Sequence, residues 1–137
     1  MPKPRKVWML SPAKIPKPSV PESIKAELAA KAMHLIKNVL KPRHVLPPKP
    51  DAKFNYITDL GGKWNRGYFY FTTSYACPGP NALSPSFESK FARMEYGGDG
   101  KFALSYLRHT GAWLEIYEGL SMDECLKAIQ DDPWFQP

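Results

Sequence analysis

The hydrophobic pattern changes period once along the chain, and the change divides it. Ile24, Leu28, Ala32, Leu35, Ile36, Val39 and Leu40 recur at three- and four-residue steps, the spacing that lines one face of an α-helix. Ahead of this stripe Ser19 and Glu22 have the S-x-x-E spacing of a capping box, with Pro21 inside the first turn. Pro42 marks the stop, so a helix is expected over about 20–41, with Lys25, Lys31, Lys37 and Lys41 on its opposite face. From Phe54 the period becomes two. Phe54, Tyr56 and Thr58 alternate with Asn55 and Ile57, and the turn-rich run DLGGKWNRG leads to YFYFTTSYA at 68–76. That second run is apolar on both faces, which suits a strand that is central or covered by helices.

A loop over 77–87 with three prolines comes next. Further strands are expected at 90–96, 101–108 and 112–118, joined by GGDG and by His109-Thr110-Gly111 as tight antiparallel turns. Ser121 and Glu124 repeat the capping-box spacing and open a helix over about 122–131, with Met122, Cys125, Leu126 and Ile129 inward. Pro133 ends that helix, and Trp134-Phe135 is expected to fold back onto the body. The order predicts an α+β domain over 19–137: a helix, a meander of about five antiparallel strands between 54 and 118, and a C-terminal helix, both helices packed on the sheet. No internal repeat is visible.

Charge and composition alter this picture at the N-terminus. Residues 1–53 carry 12 Lys/Arg and 3 Asp/Glu, a net of +9, whereas residues 54–137 carry 7 and 10, a net of −3. Ten of the 15 prolines precede residue 51, and Trp8 is the only aromatic residue before Phe54. Residues 1–18 (MPKPRKVWMLSPAKIPKP) therefore read as a separate basic arm, extended because proline fixes φ and removes donors. The stretch KPRHVLPPKPD reads as a second extended, basic link. A chain of 137 residues with 43% hydrophobic content is one domain with a core, which excludes disorder of the whole chain. No apolar run approaches the ~20 residues needed to span a bilayer, and Val7–Leu10 is too short for a signal-peptide core. No membrane role is expected, and Cys77 and Cys125 fit free thiols in a reducing cytoplasm.

The C-terminal half, FARMEYGGDGKFALSYLRHTGAWLEIYEGLSMDECLKAIQDDPWF, resembles a family of small uncharacterised bacterial proteins. The pattern is a strand with Arg93 and Tyr96, a strand with Trp113 and Tyr117, a short acidic helix with Asp123 and Leu126, and an Asp132-Pro133-x-Phe135 end. KWNRGYFYF and CPGPNALSP are similar to a narrower group of hypothetical bacterial proteins. The resemblance implies a bacterial cytoplasmic protein and carries no activity.

Candidate chemistry is sparse. Lys3, Arg5, Lys6, Lys14 and Lys17, supported by Arg43 and Lys49, place cations on extended backbone; near a polyphosphate each releases counterions, so RNA or DNA is the expected partner. Alternatively, Trp8, Met9 and Leu10 anchor the arm in an apolar groove of a protein partner. The sheet tyrosines Tyr68, Tyr70, Tyr75, Tyr106 and Tyr117, with Arg66, Arg93 and Arg108 close in sequence, are residue types that stack on bases, although alternate aromatics in strands first suggest core and cross-strand pairs. Glu95 and Glu115 are expected to face Arg93 or Arg108 across the sheet as an ion-pair ladder. A nucleophilic Cys77 would need His109 as its base and a third group to orient that histidine; a structural cysteine and a turn histidine are the simpler reading. Two cysteines and three histidines show no paired zinc spacing, and no cofactor motif is present. The sequence therefore points to a non-enzymatic binding protein.

Overall fold

The computed structural model describes residues 19–47, 54–79 and 84–137. The arm cations Lys3, Arg5, Lys6, Lys14 and Lys17, the Trp8-Met9-Leu10 segment and Lys49 lie outside the described residues. The architecture is α+β: an N-terminal helix, five antiparallel strands in the order β1-β2-β3-β4-β5, and a C-terminal helix against the sheet.

Helix α1 covers Glu22–Leu35, continues through a π-helical turn at Ile36–Leu40 and ends as α2, Lys41–His44. Its apolar stripe behaves as its spacing predicts, with Leu28, Ala32, Leu35, Ile36 and Leu40 buried. Both ends differ from expectation. Pro21 is extended (φ −59°, ψ 146°) and itself precedes the first helical residue, and no side chain caps the end. Glu22 therefore stands at the first helical position instead of the third, out of reach of a reciprocal box, and approaches Lys25 at 3.8 Å. At the other end Pro42 does not stop the helix. The Lys41 N–H bonds five residues back to the Ile36 carbonyl, and this wider turn accommodates a residue that lacks an N–H and whose ring would crowd the carbonyl four residues earlier. The start of the KPRHVLPPKPD link is thus helical. The lysines are also not a free solvated face: Lys31 bridges Asp123 at 2.9 Å and Lys41 bridges Asp59 at 2.9 Å.

The strands are β1 (Tyr56–Asn65), β2 (Tyr68–Ala76), β3 (Ser86–Gly98), β4 (Lys101–Leu107) and β5 (Trp113–Ser121). The run DLGGKWNRG is mostly strand, and only Arg66 and Gly67 turn, both at positive φ (53° and 84°), the pairing that joins two strands with matching twist. Gly62 is a packing glycine: a Cβ there would lie 2.7 Å from the Phe69 ring. Loop 77–87 is shorter than expected, because β3 already begins at Ser86 opposite Ala76.

Antiparallel register puts Leu60 opposite Thr73, Phe69 opposite Met94 and Met94 opposite Leu104. These side chains meet Leu28, Ile36 and Leu40 from the first helix and Cys125, Leu126 and Ile129 from α3, Met122–Asp131. Helix α3 has its capping box: the Glu124 N–H donates to Ser121 Oγ at 3.1 Å, and the Ser121 N–H donates to Glu124 Oε1 at 2.8 Å. Beyond it a 3₁₀ turn, Pro133–Phe135, folds Phe135 into full burial. Trp64 ties β1 to α1 by donating its indole N–H to the Lys25 carbonyl at 3.1 Å. No helix among the described residues is long and apolar enough to cross a membrane.

Candidate functional site

Because both helices pack on one face of the sheet, side chains of the other parity on β2 point away from them. The row built by register there is Lys63, Tyr70, Arg93, Ser105 and Glu115, each opposite the next. A parallel row holds Asn65, Tyr68, Glu95 and Ala103. The small side chains on β4, Ala103 and Ser105, leave room for Trp113 of β5 to reach back over the sheet. Its ring centroid lies 5.8 Å from that of Tyr70, which in turn lies 5.8 Å from Tyr68.

Cations fill this aromatic array. The Arg93 guanidinium stands 4.5 Å from the Tyr68 ring centroid and 4.6 Å from that of Trp113, held between the two, and Lys90 Nζ stands 4.5 Å from the Tyr70 centroid. Each contact of this kind contributes about 0.5–1 kcal/mol at a partly exposed site, so the array holds its own geometry. Tyr68, Tyr70, Lys90, Arg93 and Trp113 are all only partly buried. The expected Glu–Arg ladder does not form as direct opposites: Glu115 faces Ser105, and Glu95 faces Tyr68 and Ala103, because Arg93 occupies the row between Tyr70 and Ser105. Lys63 pairs with Glu88 at 3.2 Å. With Lys63, Arg66, Lys90 and Arg93 near Glu88, Glu95 and Glu115, the face is nearly neutral.

The five tyrosines singled out by sequence separate. Tyr68 and Tyr70 belong to this face. Tyr106 and Tyr117 lie on the helix side, against Trp134 at 5.3 Å and Phe135 at 6.3 Å, and Tyr75 stacks on Phe87 at 4.9 Å. Trp113 is the member that sequence reasoning missed as a stacking residue. The resemblance pairs it with Tyr117, but its partners are Tyr70 of β2 and Arg93 of β3, cross-sheet neighbours that no local pattern joins.

Next to Tyr68 opens a cavity of about 440 Å³, lined by Ser19, Lys25, Arg66, Glu95 and Tyr96 among others. The arm joins the body at Ser19, beside this cavity. Arg43, at the end of the first helix, donates to the Gln130 carbonyl of α3 at 2.6 Å and so serves a helix C-terminus. Cys77 is half-buried, with its backbone N–H on the Pro85 carbonyl at 2.8 Å. His109 is exposed on the β4–β5 turn and lines a cavity of about 330 Å³ with Thr73 and Arg108; Cys77 is not in that wall. Burial pushes the Cys125 thiol up to about 12, which keeps it protonated. Among the described residues no cluster of three or more His, Cys, Asp or Glu side chains could hold a metal ion.

Residues 20–137 match the model of DUF3024, a domain of unknown function. No curated protein and no solved structure matches the chain.

Proposed function

The chain belongs to the DUF3024 family, and from that premise we propose that it is a non-enzymatic cytoplasmic protein that binds single-stranded nucleic acid. The observation that carries this reading is the cation-filled aromatic array of Tyr68, Tyr70, Arg93 and Trp113 on the helix-free face. Unpaired bases have π-faces of the same size as these rings, and stacking on such a sheet surface needs no particular base. A near-neutral platform cannot supply long-range attraction to a polyanion. The basic arm, with Lys3, Arg5, Lys6, Lys14 and Lys17, supplies it through phosphate contacts, attached at Ser19 within the same cavity wall as Tyr68. Lys49 is a supporting phosphate contact in this reading, whereas Arg43 is held on the Gln130 carbonyl on the helix side.

The test is fluorescence anisotropy of a labelled twelve-nucleotide oligouridylate over a salt series. Tyr70→Ala and Trp113→Ala should each weaken binding about tenfold, the loss of one stacked base. Neutralising the five arm cations to Gln should lower the salt slope by about 3.5, at about 0.7 per phosphate contact on a single strand. Variants that leave both affinity and slope at wild-type values would overturn the reading.

A further inference from the structure

The cavity of about 330 Å³ beside the β4–β5 turn lies on the helix side of the sheet, at the end away from the Arg66-Gly67 turn. Thr73 of β2 forms its floor and shares side-chain parity with the core residues Phe69 and Phe71. Ser89 stands opposite Thr73 in register, and Tyr75, Phe91 and Leu107 line the sides. Arg108 and His109, just past the end of β4, form the lip.

Three observations set this cavity apart from a gap in packing. Thr73 is 1% exposed, yet its Oγ1 has no hydrogen-bond partner among the described residues, whereas buried hydroxyls nearly always have one. Arg108 is exposed and enters none of the ion pairs of the described residues. Its backbone is nevertheless pinned: the Arg108 N–H donates to the Ala112 carbonyl at 2.8 Å, and the Gly111 N–H donates to the Arg108 carbonyl at 2.9 Å. Finally, no Asp or Glu side chain lines the cavity. Lys90 lines it as well, although its ammonium is drawn to the Tyr70 ring.

We propose that this cavity binds a small organic oxyanion, with its charged group on Arg108 and a polar group at its far end on the Thr73 hydroxyl. The guanidinium fork matches a carboxylate or phosphate, and the His109 ring adds a further donor at the same lip. Strand β3 separates β2 from β4, so floor and lip stand two strand spacings apart, roughly 10 Å. A bare ion does not bridge that distance. A ligand with a flat or apolar body does, and Tyr75, Phe91 and Leu107 flank the space such a body fills. The cavity lies on the opposite side of the sheet from Tyr70 and Trp113, so this proposal does not rest on the nucleic-acid reading.

The experiment titrates the full-length protein with para-hydroxyphenyl phosphate and with para-hydroxybenzoate, followed by amide NMR. Each probe carries an oxyanion and a hydroxyl at opposite ends of one ring, and the pair tells a phosphate from a carboxylate. At least one should shift the amides of Thr73, Ser89, Arg108 and Gly111 together at millimolar concentration. Arg108→Gln should weaken that binding at least tenfold, the loss of a charge-assisted contact. Phenyl phosphate or benzoate, which lacks the far hydroxyl, should bind about fivefold more weakly than its hydroxylated counterpart. Thr73→Val should erase that difference and Thr73→Ser should keep it, whereas a merely structural Thr73 would leave it intact. No shift with either probe, shifts spread over surface cations, or shifts confined to Tyr70, Arg93 and Trp113 would overturn the proposal. So would wild-type affinity in Arg108→Gln, or a hydroxyl preference that survives Thr73→Val. None of these outcomes alters the oligouridylate result, so the two readings fall separately.

Discussion

Arg93 and Thr73 show how much depends on single side chains that local pattern does not explain. Arg93 reads from sequence as one half of a cross-strand ion pair, yet its guanidinium is held between Tyr68 and Trp113. The planar fork is suited to this, which an ammonium is not. Arg93→Lys should therefore keep the charge and still loosen the array, read as a change in the near-ultraviolet circular dichroism of Trp113 with the fold unaltered. Thr73 is 1% exposed and its Oγ1 has no hydrogen-bond partner among the described residues. Its neighbours include Leu60, across the strand pair, and the isosteric Thr73→Val change removes a desolvated hydroxyl without opening a cavity. Such a change should stabilise by about 1 kcal/mol, seen as a higher denaturation midpoint at unchanged m-value; a lower midpoint would mean that the hydroxyl has a partner. Neither residue's role was legible in sequence, because both depend on which strands become neighbours.

Elements were legible where one local rule sufficed. The helix stripe, the strand at 68–76, the hairpin at GGDG and the capping box at Ser121 all follow from spacing or turn chemistry. Two competing rules produced the misreadings. Gly61-Gly62 looks like a turn by composition, but Gly62 is in β1 because the Phe69 ring of β2 fills the space of a side chain. Gly62→Ala should cost about 1–3 kcal/mol through overpacking against Phe69 and Ile36, measured by urea denaturation. Pro42 looks like a stop, but a π-turn absorbs it. Acid titration tests two of the element ends. The Lys41 ammonium beside Asp59 holds its carboxyl below the ordinary 3.8, and the Ser121 N–H and hydroxyl hold Glu124 below the ordinary 4.5. A carboxyl depressed in the folded state stabilises above its unfolded value, and that stability is lost as pH falls through the folded one. The wild type should therefore lose stability below about pH 4, and Asp59→Asn with Glu124→Gln should flatten that fall. An unchanged acid limb would show that neither contact matters to folding.

At the scale of the whole molecule, charge and aromatic surface are separated by design of the chain. The cations concentrate before residue 54 and all but one of the aromatics after it, so attraction and stacking come from different segments. The asymmetry itself was legible in sequence; the platform was not, because its outward parity becomes visible only once both helices are seen on one face. The most direct measurement is the affinity of the full-length protein for a labelled oligouridylate compared with a duplex of the same length, at one low salt concentration. Stacking on Tyr70 and Trp113 requires unpaired bases, so the single strand should bind at least tenfold more tightly than the duplex. Equal affinity for both, or no binding to either, would contradict the account.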